Sequence, residues 1–199
     1  FIGNTWISRL ISNSLAENKL QISNKIDRSE WISQENGVLQ GDPLSPVLFN
    51  VLTHDVVDTI RKAAEDVNIY IYADDMAVAS RNREQLQKGI DALVQWADVN
   101  ELQVNEQKTE LVVFRKGGRL TQTDEIYCRG VPLKKNNLYK YLGITVQTTG
   151  KTFSVHIQER LNAAVRSIND INKLQHISLK TAMRLFEAKV VPTLMSGIE

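Results

Sequence analysis

The sequence has few of the residues that build disulfides and zinc sites. Its 199 residues include one cysteine, Cys128, and three histidines. A single cysteine excludes an internal disulfide and any zinc site built on several cysteines, and it is typical of a reducing, intracellular setting. The histidines, His54, His156 and His176, lack metal-ligand spacing, and we interpret each as a helix-surface residue. No apolar run approaches the ~20 residues of a membrane span, so no membrane partner is expected.

Repeats, low-complexity linkers and an initiating methionine are also absent. The chain begins with Phe1, and we therefore expect it to be a piece of a longer protein. Residues 1–100 hold 9 Lys and Arg against 14 Asp and Glu, whereas residues 101–199 hold 15 against 9. An acidic half followed by a basic half suits a metal-holding centre beside a phosphate-binding surface, but a solvated basic face gives the same counts.

Hydrophobic periodicity predicts helices that alternate with short strands over the first three quarters of the chain. Ser45 is a favoured N-cap and Pro46 a favoured first helical residue, so a helix is expected to begin there, with an apolar stripe as far as Ile60. A helix over 82–100 is predicted to bury Leu86, Ile90, Leu93, Val94 and Ala97. The other expected elements are a helix over 1–17, a hairpin over 20–34 around 27–29, strands over 68–80, 111–114 and 124–147, and a turn at Gly117-Gly118.

From residue 154 onwards the pattern is helical only. One helix is expected to end before Pro192, over 178–190. The helix before it is predicted to bury the face formed by Ile157, Leu161, Ala164, Val165, Ile168 and Ile171. A sheet with helices on one face is the natural packing of the earlier elements, which predicts an α+β fold with a domain boundary near residue 150.

Two adjacent carboxylates, Asp74 and Asp75, stand between the apolar runs of IYIYADDMAVA, residues 69–79. Neighbouring strand side chains point to opposite faces, so both carboxylates can serve one site only where the backbone turns. Like charges held together are unfavourable unless a cation compensates them, and Mg²⁺ takes carboxylate and phosphate oxygens as ligands. The pair is therefore either the polar tip of a hairpin or a metal site for phosphoryl transfer.

Three further segments carry candidate binding residues. The loop GVLQGDPLSP, residues 37–46, either lets a ligand approach its glycines closely or is a rigid entry to the next helix. Lys108 lies just before a buried strand. It could donate a proton or hold a phosphate, and the alternative is a solvated loop lysine. The segment YKYLGI, residues 139–144, either contacts a nucleic-acid backbone or forms a hairpin packed on the sheet.

The order of these segments resembles that in the reverse transcriptases of non-LTR (LINE-type) retrotransposons, of the jockey-like kind. The series is GVLQGDPLSPVLFN, YADD between apolar strands, a helix, LQVNEQKTELVVF and YKYLGI, and the closing LFEAKVVPTL also resembles this family. The resemblance extends over essentially the whole chain. It implies an α+β partial polymerase palm with a YADD hairpin over residues 1–148, followed by a helical thumb over 149–199 that grips the template–primer.

The resemblance also implies an activity, that of an RNA-directed DNA polymerase that joins nucleotides to a primer 3′-hydroxyl. It implies two Mg²⁺ ions, replaceable by Mn²⁺, an RNA template with a DNA primer as an RNA–DNA hybrid, deoxynucleoside triphosphates, and a location in nucleus and cytoplasm. Asp74 and Asp75 would bind metal and Lys108 would protonate the leaving pyrophosphate. Implied template and nucleotide contacts are Gly37, Gln40, Gly41, Pro43, Tyr72 and Asn105, and implied primer contacts are Tyr141, Leu142 and Gly143.

One departure from the family concerns the chemistry. The family needs a further catalytic Asp in an aromatic-rich upstream strand, and Glu17 and Asp27, the first acidic residues here, do not lie in one. We therefore expect a palm without its fingers and first catalytic motif, which is inactive as a fragment. The alternatives are a non-catalytic or degenerate nucleic-acid-binding fragment, an RNA-templated RNA polymerase, which usually carries Gly at the position of Ala73, and a group II intron maturase. The sequence predicts neither the parent element nor the oligomeric state.

Overall fold

The computed structural model describes residues 6–16, 18–33, 37–115, 125–174 and 176–197. Helices and short strands are mixed along these ranges, which confirms the predicted α+β class. Internal contacts divide the chain into two units, residues 1–58 with 69–77 and residues 59–68 with 78–199. None of the helices in the described ranges is long and apolar enough to cross a membrane. The boundary between residues 148 and 149 remains a prediction.

The elements are numbered in chain order over the described residues. The helices are α1 (Trp6–Leu15), α2 (Ser45–Leu52), α3 (Val56–Ala63), α4 (Arg83–Val99), α5 (Ser154–Asn172), α6 (Leu179–Leu185) and α7 (Val191–Met195), with a π-helical turn at Phe186–Val190 between the last two. The strands are β1 (Lys19–Leu20), β2 (Ile32–Ser33), β3 (Asn68–Tyr72), β4 (Asp75–Ala79), β5 (Glu110–Leu111), β6 (Tyr127–Cys128), β7 (Val131–Pro132), β8 (Lys134–Lys135), β9 (Leu138–Tyr141) and β10 (Ile144–Gln147). The predicted turn at Gly117-Gly118 and the ends of the predicted first helix, 1–5 and 17, lie outside the described residues.

The described strands pair in twos. Strands β1 and β2, β6 and β7, and β9 and β10 form antiparallel pairs, β3 lies beside β4, and β5 pairs in parallel with β8. The predicted single sheet with helices on one face is therefore not formed by these strands. Tight turns such as Arg129-Gly130 and Leu142-Gly143 explain the difference, because positive φ angles at both residues let each strand pair at once with the next one.

Local hydrogen bonds place one turn and one helix start differently from the prediction. The hairpin predicted over 20–34 is present, but its turn lies at 24–27, because Asn24 Oδ1 accepts the backbone N–H groups of Ile26 (2.8 Å) and Asp27 (2.6 Å). Ser45 is the first residue of α2 and not its N-cap, so Pro46 is the second. The Ser45 hydroxyl does not cap the helix because it donates to Leu39 O at 2.7 Å.

Helix α4 has the predicted range, with Asn82 as N-cap and Asn100 as C-cap. Its buried residues are Gly89, Ala92, Trp96 and Ala97, so the prediction is confirmed for Ala97 and missed the other three. It also placed Leu86, Ile90, Leu93 and Val94 in the core. Those four are only partly buried. Leu86, Ile90 and Val94 pack against a core cluster of Leu111, Ile126, Cys128 and Leu133.

Two apolar stretches form less regular structure than predicted. The strand predicted over 111–114 is confined to β5, because its partner β8 is also two residues long and Asn136 N–H then bonds to Leu111 O at 3.0 Å. The apolar stripe predicted from α2 to Ile60 is interrupted by a turn at 53–55. Helix α3 then buries Val56 and Ile60 completely.

The C-terminal helices differ from the prediction in face and end point. The buried residues of α5 are His156 and Ala164, while Ile157, Leu161 and Val165 of the predicted face are exposed. The helix predicted to stop at Pro192 continues through the π-helical turn into α7, where Pro192 lies in the first turn. Pro192 directly follows the last bond of the π-helical turn, which runs from the N–H of Val191 to Phe186 O.

Candidate active site

The acidic pair lies at the turn between β3 and β4. Ala73 and Asp74 form the turn, and Asp75 is the first residue of β4. Because the backbone turns here, the alternation that sends neighbouring strand side chains to opposite faces does not apply to the two carboxylates. Ala73 has φ of 52°, a left-handed conformation that costs a non-glycine residue about 1 to 2 kcal/mol. Such strain persists only where the surroundings impose it, and it is concentrated at functional sites.

The donor chemistry of the pair fits a divalent cation. Both carboxylates are exposed, and in the described part of the chain neither forms a salt bridge. Carboxylate oxygens are preferred ligands of Mg²⁺, which keeps several waters or substrate phosphates as its other ligands. Among the described residues no three His, Cys, Asp or Glu side chains are grouped so that they could hold a metal ion. Asp74 and Asp75 can therefore supply part of a coordination shell.

The loop before α2 holds four of the predicted contacts in one short segment. Gly37 and Gly41 have φ of 85° and 93°, values that favour glycine. A Cβ added to Gly41 would meet nothing within 4 Å, so the space beside this residue is open. Glycine is favoured at this position by its backbone conformation and not by lack of space. Gln40 and Pro43 are exposed in the same loop.

Two hydrogen bonds that the sequence analysis missed shape this loop. Asp42 Oδ1 accepts the backbone N–H of Leu44 at 2.8 Å, and the Ser45 hydroxyl donates to Leu39 O. Asp and Ser side chains commonly form such local bonds with the backbone. The Asp and Ser of GDPLS were therefore the residues from which these bonds could have been predicted. Both bonds are internal to the loop and hold it in place at the start of α2.

Asn105 and Lys108 are joined within one turn. Lys108 N–H donates to both the backbone oxygen (3.2 Å) and the side-chain Oδ1 (3.1 Å) of Asn105. The Thr109 hydroxyl donates to the same backbone oxygen at 2.8 Å. Lys108 and Asn105 are exposed. The side chain of Asn105 therefore fixes the backbone that carries Lys108.

The predicted primer contacts lie at the tip of the β9–β10 hairpin. Tyr141 pairs with Ile144 across the turn, and Leu142 and Gly143 form the turn with φ of 47° and 86°. Leu142 exposes 48% of its surface. An exposed tip of this kind is available to a ligand, whereas Tyr141 is half-buried.

The structure brings the predicted residues together in four local groups. Two groups belong to the first unit: Tyr72 with the acidic pair, and the glycine loop over 37–46. The other two, the Asn105 turn and the β9–β10 hairpin, belong to the second unit. Tyr72 precedes the acidic turn and exposes 65% of its surface. An exposed aromatic ring next to carboxylates suits contact with a base or sugar.

Among the titratable groups of the described ranges, two have displaced pKa values, and both lie outside these four segments. Burial raises the pKa of the Cys128 thiol, and Glu106 raises it further; only 1% of the residue is exposed. Cys128 is therefore a core residue and not a nucleophile. The hydrogen bond that the Tyr127 hydroxyl donates to Glu125 at 2.8 Å raises the pKa of that tyrosine.

The histidines do not occupy the helix-surface positions that were predicted. His54 and His176 are exposed but lie in turns, and His156 is in α5 but only 3% exposed. His156 is eight residues from the buried Ala164, which places both on one helical face. The spacing of His156 and Ala164 indicates the buried face of α5. The prediction chose instead the more apolar stripe that includes Ile157, Leu161 and Val165.

Residues 2–146 match the family described as reverse transcriptase (RNA-dependent DNA polymerase). This chain belongs to the reverse transcriptase family. The resemblance recognised in the order of its motifs is thereby confirmed.

Relatives of this reverse transcriptase chain come from mobile elements. It is 30% identical over 178 residues to the RNA-directed DNA polymerase from mobile element jockey of Drosophila melanogaster, covering 82% of the chain and 19% of that protein. It is 28% identical to the Pol polyprotein from the type-2 retrotransposable element R2DM of the same species, covering 81% of the chain and 16% of the relative. A probable RNA-directed DNA polymerase from transposon X-element is 26% identical over 82% of the chain. The chain thus spans about a fifth of the length of these relatives.

Family membership gives the acidic turn a chemical context. Reverse transcriptases generally use divalent metal ions, and the family name implies an RNA template, a primer and deoxynucleoside triphosphates. The exposed carboxylates of Asp74 and Asp75 have the oxygen donors that such ions take.

Proposed function

We propose that this chain acts, within a longer protein, as part of an RNA-directed DNA polymerase of a non-LTR retrotransposon. The observation that supports the proposal most is the exposed pair Asp74-Asp75 at a strained turn between two strands, in a chain that matches the reverse transcriptase family over residues 2–146. Residues 1–148 would form part of the palm and residues 149–199 the thumb. The parent protein would act in nucleus and cytoplasm.

In this proposal the chain contributes positioning and charge. Asp74 and Asp75 would hold Mg²⁺, and the bound metal would supply charge neutralisation at the reacting phosphate. Lys108 would donate a proton to the leaving pyrophosphate, held there by its bond to Asn105. The open side of Gly41 and the exposed Gln40 would contact the template and nucleotide.

The remaining predicted contacts complete the proposal. Tyr72 would lie near the primer terminus, and Tyr141, Leu142 and Gly143 would hold the primer end. Exposed basic residues of the second unit would contact nucleic-acid phosphates, which predicts salt-sensitive binding. In the thumb these are Lys151, Arg166, Lys173, Lys180, Arg184 and Lys189.

A second candidate function is binding of nucleic acid without catalysis by the 199-residue chain alone. It is favoured by the absence, among the described residues, of any group of three side chains that could hold a metal ion. Under this reading the chain needs a further carboxylate from the parent protein before it can catalyse nucleotide addition.

Primer extension by the purified full-length parent tests the proposal. With an RNA template, a DNA primer and Mg²⁺, we expect incorporation of deoxynucleotides into DNA, and none with the 199-residue chain. Ribonucleotides in place of deoxynucleotides serve as the control for an RNA polymerase. Incorporation of ribonucleotides alone, or no synthesis by the parent, would contradict the proposal, and synthesis by the isolated chain would refute the need for a further ligand.

A further inference from the structure

His156 is hydrogen-bonded through both ring nitrogens in a buried position. Its Nδ1 accepts the backbone N–H of Thr145 at 3.3 Å, and its Nε2 donates to the backbone oxygen of Ser196 at 3.0 Å. A nitrogen that accepts from an amide carries no proton, so the ring is the neutral tautomer with its proton on Nε2. One side chain thus connects β10, α5 and the end of α7.

Thr145 of β10 forms a second hydrogen bond with α5, through its side chain. The Thr145 hydroxyl donates to Glu159 Oε2 at 2.8 Å, and Glu159 lies about one helical turn after His156. Thr145 is 7% exposed and pairs with Lys140 across the hairpin, immediately beyond the pair Ile144 and Tyr141. Both the backbone and the side chain of this residue are therefore tied to α5, two residues beyond the turn at 142–143.

The chain after α7 passes closely over this contact. A Cβ added to Gly197 would lie 2.8 Å from His156 Nε2 and 3.1 Å from Ile144 Cγ1. Gly197 has φ of 82°, which favours glycine. There is no room for a side chain between the end of α7, the imidazole and β10.

From these contacts we propose that His156 is a positioning residue that fixes the β9–β10 hairpin to helices α5 and α7. The inference rests on the proposed function of the hairpin tip as the holder of the primer end. If the tip binds the primer and the helices bind the duplex behind it, the two surfaces share one ligand. A hairpin free to shift against the helices would then weaken template–primer binding.

The two bonds can be removed one at a time. In His156→Asn the amide oxygen lies near the position of Nδ1 and keeps an acceptor for Thr145, whereas in His156→Gln the amide nitrogen lies near Nε2 and keeps the donor to Ser196. In the full-length parent we expect H156Q to raise KM for template–primer about five- to tenfold and to lower processivity, as loss of one buried hydrogen bond predicts. H156N keeps the bond between α5 and β10 and loses only the bond to Ser196, so its KM should rise less than that of H156Q. The matched control is His176→Asn, at an exposed turn, which should change neither value.

KM and processivity do not depend on the fraction of molecules that is folded, so a merely structural loss would leave them unchanged. If H156Q does not fold, Thr145→Val tests whether the tie between the hairpin and α5 matters for KM. It removes the second bond of that tie, to Glu159, and keeps the bond to His156. It should raise KM in the same direction. Unchanged KM and processivity in T145V and in a folded H156Q would overturn the inference.

Amide hydrogen exchange separates this inference from the proposed function. In the 199-residue chain, the Thr145 amide should exchange faster in H156Q than in H156N, whatever the chain catalyses. Equal exchange rates would overturn the positioning role. If the wild-type parent fails to extend a primer, the proposed function fails, and the exchange rates still decide whether His156 holds β10.

Discussion

At the scale of single residues, Ala73 shows what the sequence could and could not predict. The apolar runs on both sides of Asp74-Asp75 predicted two strands with a break between them, and strands are present at 68–72 and 75–79. Nothing in the letters YADD indicates that alanine takes a left-handed conformation, with φ of 52°. The tight turn imposes that angle, and local propensity opposes it.

Replacing Ala73 by glycine should relieve this strain. We expect the free energy of unfolding of A73G to rise by about 0.5 kcal/mol, because a left-handed alanine costs about 1 to 2 kcal/mol and glycine loses about 0.5 to 1 kcal/mol in chain entropy. Urea unfolding of the chain measures the change. The matched control is Ala77→Gly, within β4, which should lower stability by about 0.5 to 1 kcal/mol. Equal losses in the two variants would show that the angle at residue 73 carries no strain.

Polar residues that bond to groups elsewhere in the chain were the least predictable at this scale. Ser45 reads as an N-cap and His156 as a surface residue, and both were wrong because their partners, Leu39 O, Thr145 N and Ser196 O, are set by the folded chain. A single sequence shows the donor or acceptor but not the group that it meets.

At the scale of elements, long periodic segments were predicted better than short ones. The range of α4 was predicted from its apolar repeat. A hairpin over YKYLGI, residues 139–144, was one of the two alternatives for that segment, and the β9–β10 hairpin is present. The buried face of α5 was not predicted correctly. Ile157, Leu161 and Val165 form the most apolar stripe of this helix, yet all three are exposed. Which face is buried depends on the tertiary partner, and here that partner bonds to His156.

The turn that carries Lys108 gives a test at this scale. Asn105→Ala removes the side-chain acceptor of the Lys108 N–H and keeps the backbone one. In the full-length parent we expect kcat for nucleotide addition to fall about fivefold, as one hydrogen bond is worth about 1 kcal/mol. Asn105→Asp keeps the acceptor and favours the same kind of turn, so its kcat should stay close to that of wild type.

The aspartate variant also separates positioning from direct binding. If the Asn105 side chain contacts the nucleotide, an added negative charge near the triphosphate should raise KM for the nucleotide. A large rise in that KM for N105D would therefore contradict a role confined to the turn, and wild-type kcat in N105A would contradict any role for its side chain.

At the scale of the whole molecule, the order of motifs was more informative than any one of them. Each segment had an ordinary structural explanation, since Asp occurs in turns and glycine loops open many helices. Together they predicted the family that the match over residues 2–146 confirms. The association of strands was not predicted, because periodicity identifies strands but not their partners.

The central claim is that Asp74 belongs to the metal centre of a polymerase. Its most direct test is single-turnover nucleotide addition by the full-length parent carrying Asp74→Ala, with an RNA template and Mg²⁺. Asp66→Ala is the matched control, because Asp66 is another exposed aspartate close to β3. Binding of the template–primer and the unfolding midpoint are measured on the same preparations.

Loss of a carboxylate that would hold the metal ions should lower the rate of nucleotide addition at least about 10³-fold in D74A. Template–primer binding and stability should remain near wild type, since the side chain is exposed. D66A should add nucleotides at the wild-type rate. We therefore expect a D74A enzyme that binds its substrate and does not extend it. Extension by D74A at the rate of D66A would show that Asp74 has no part in the metal centre.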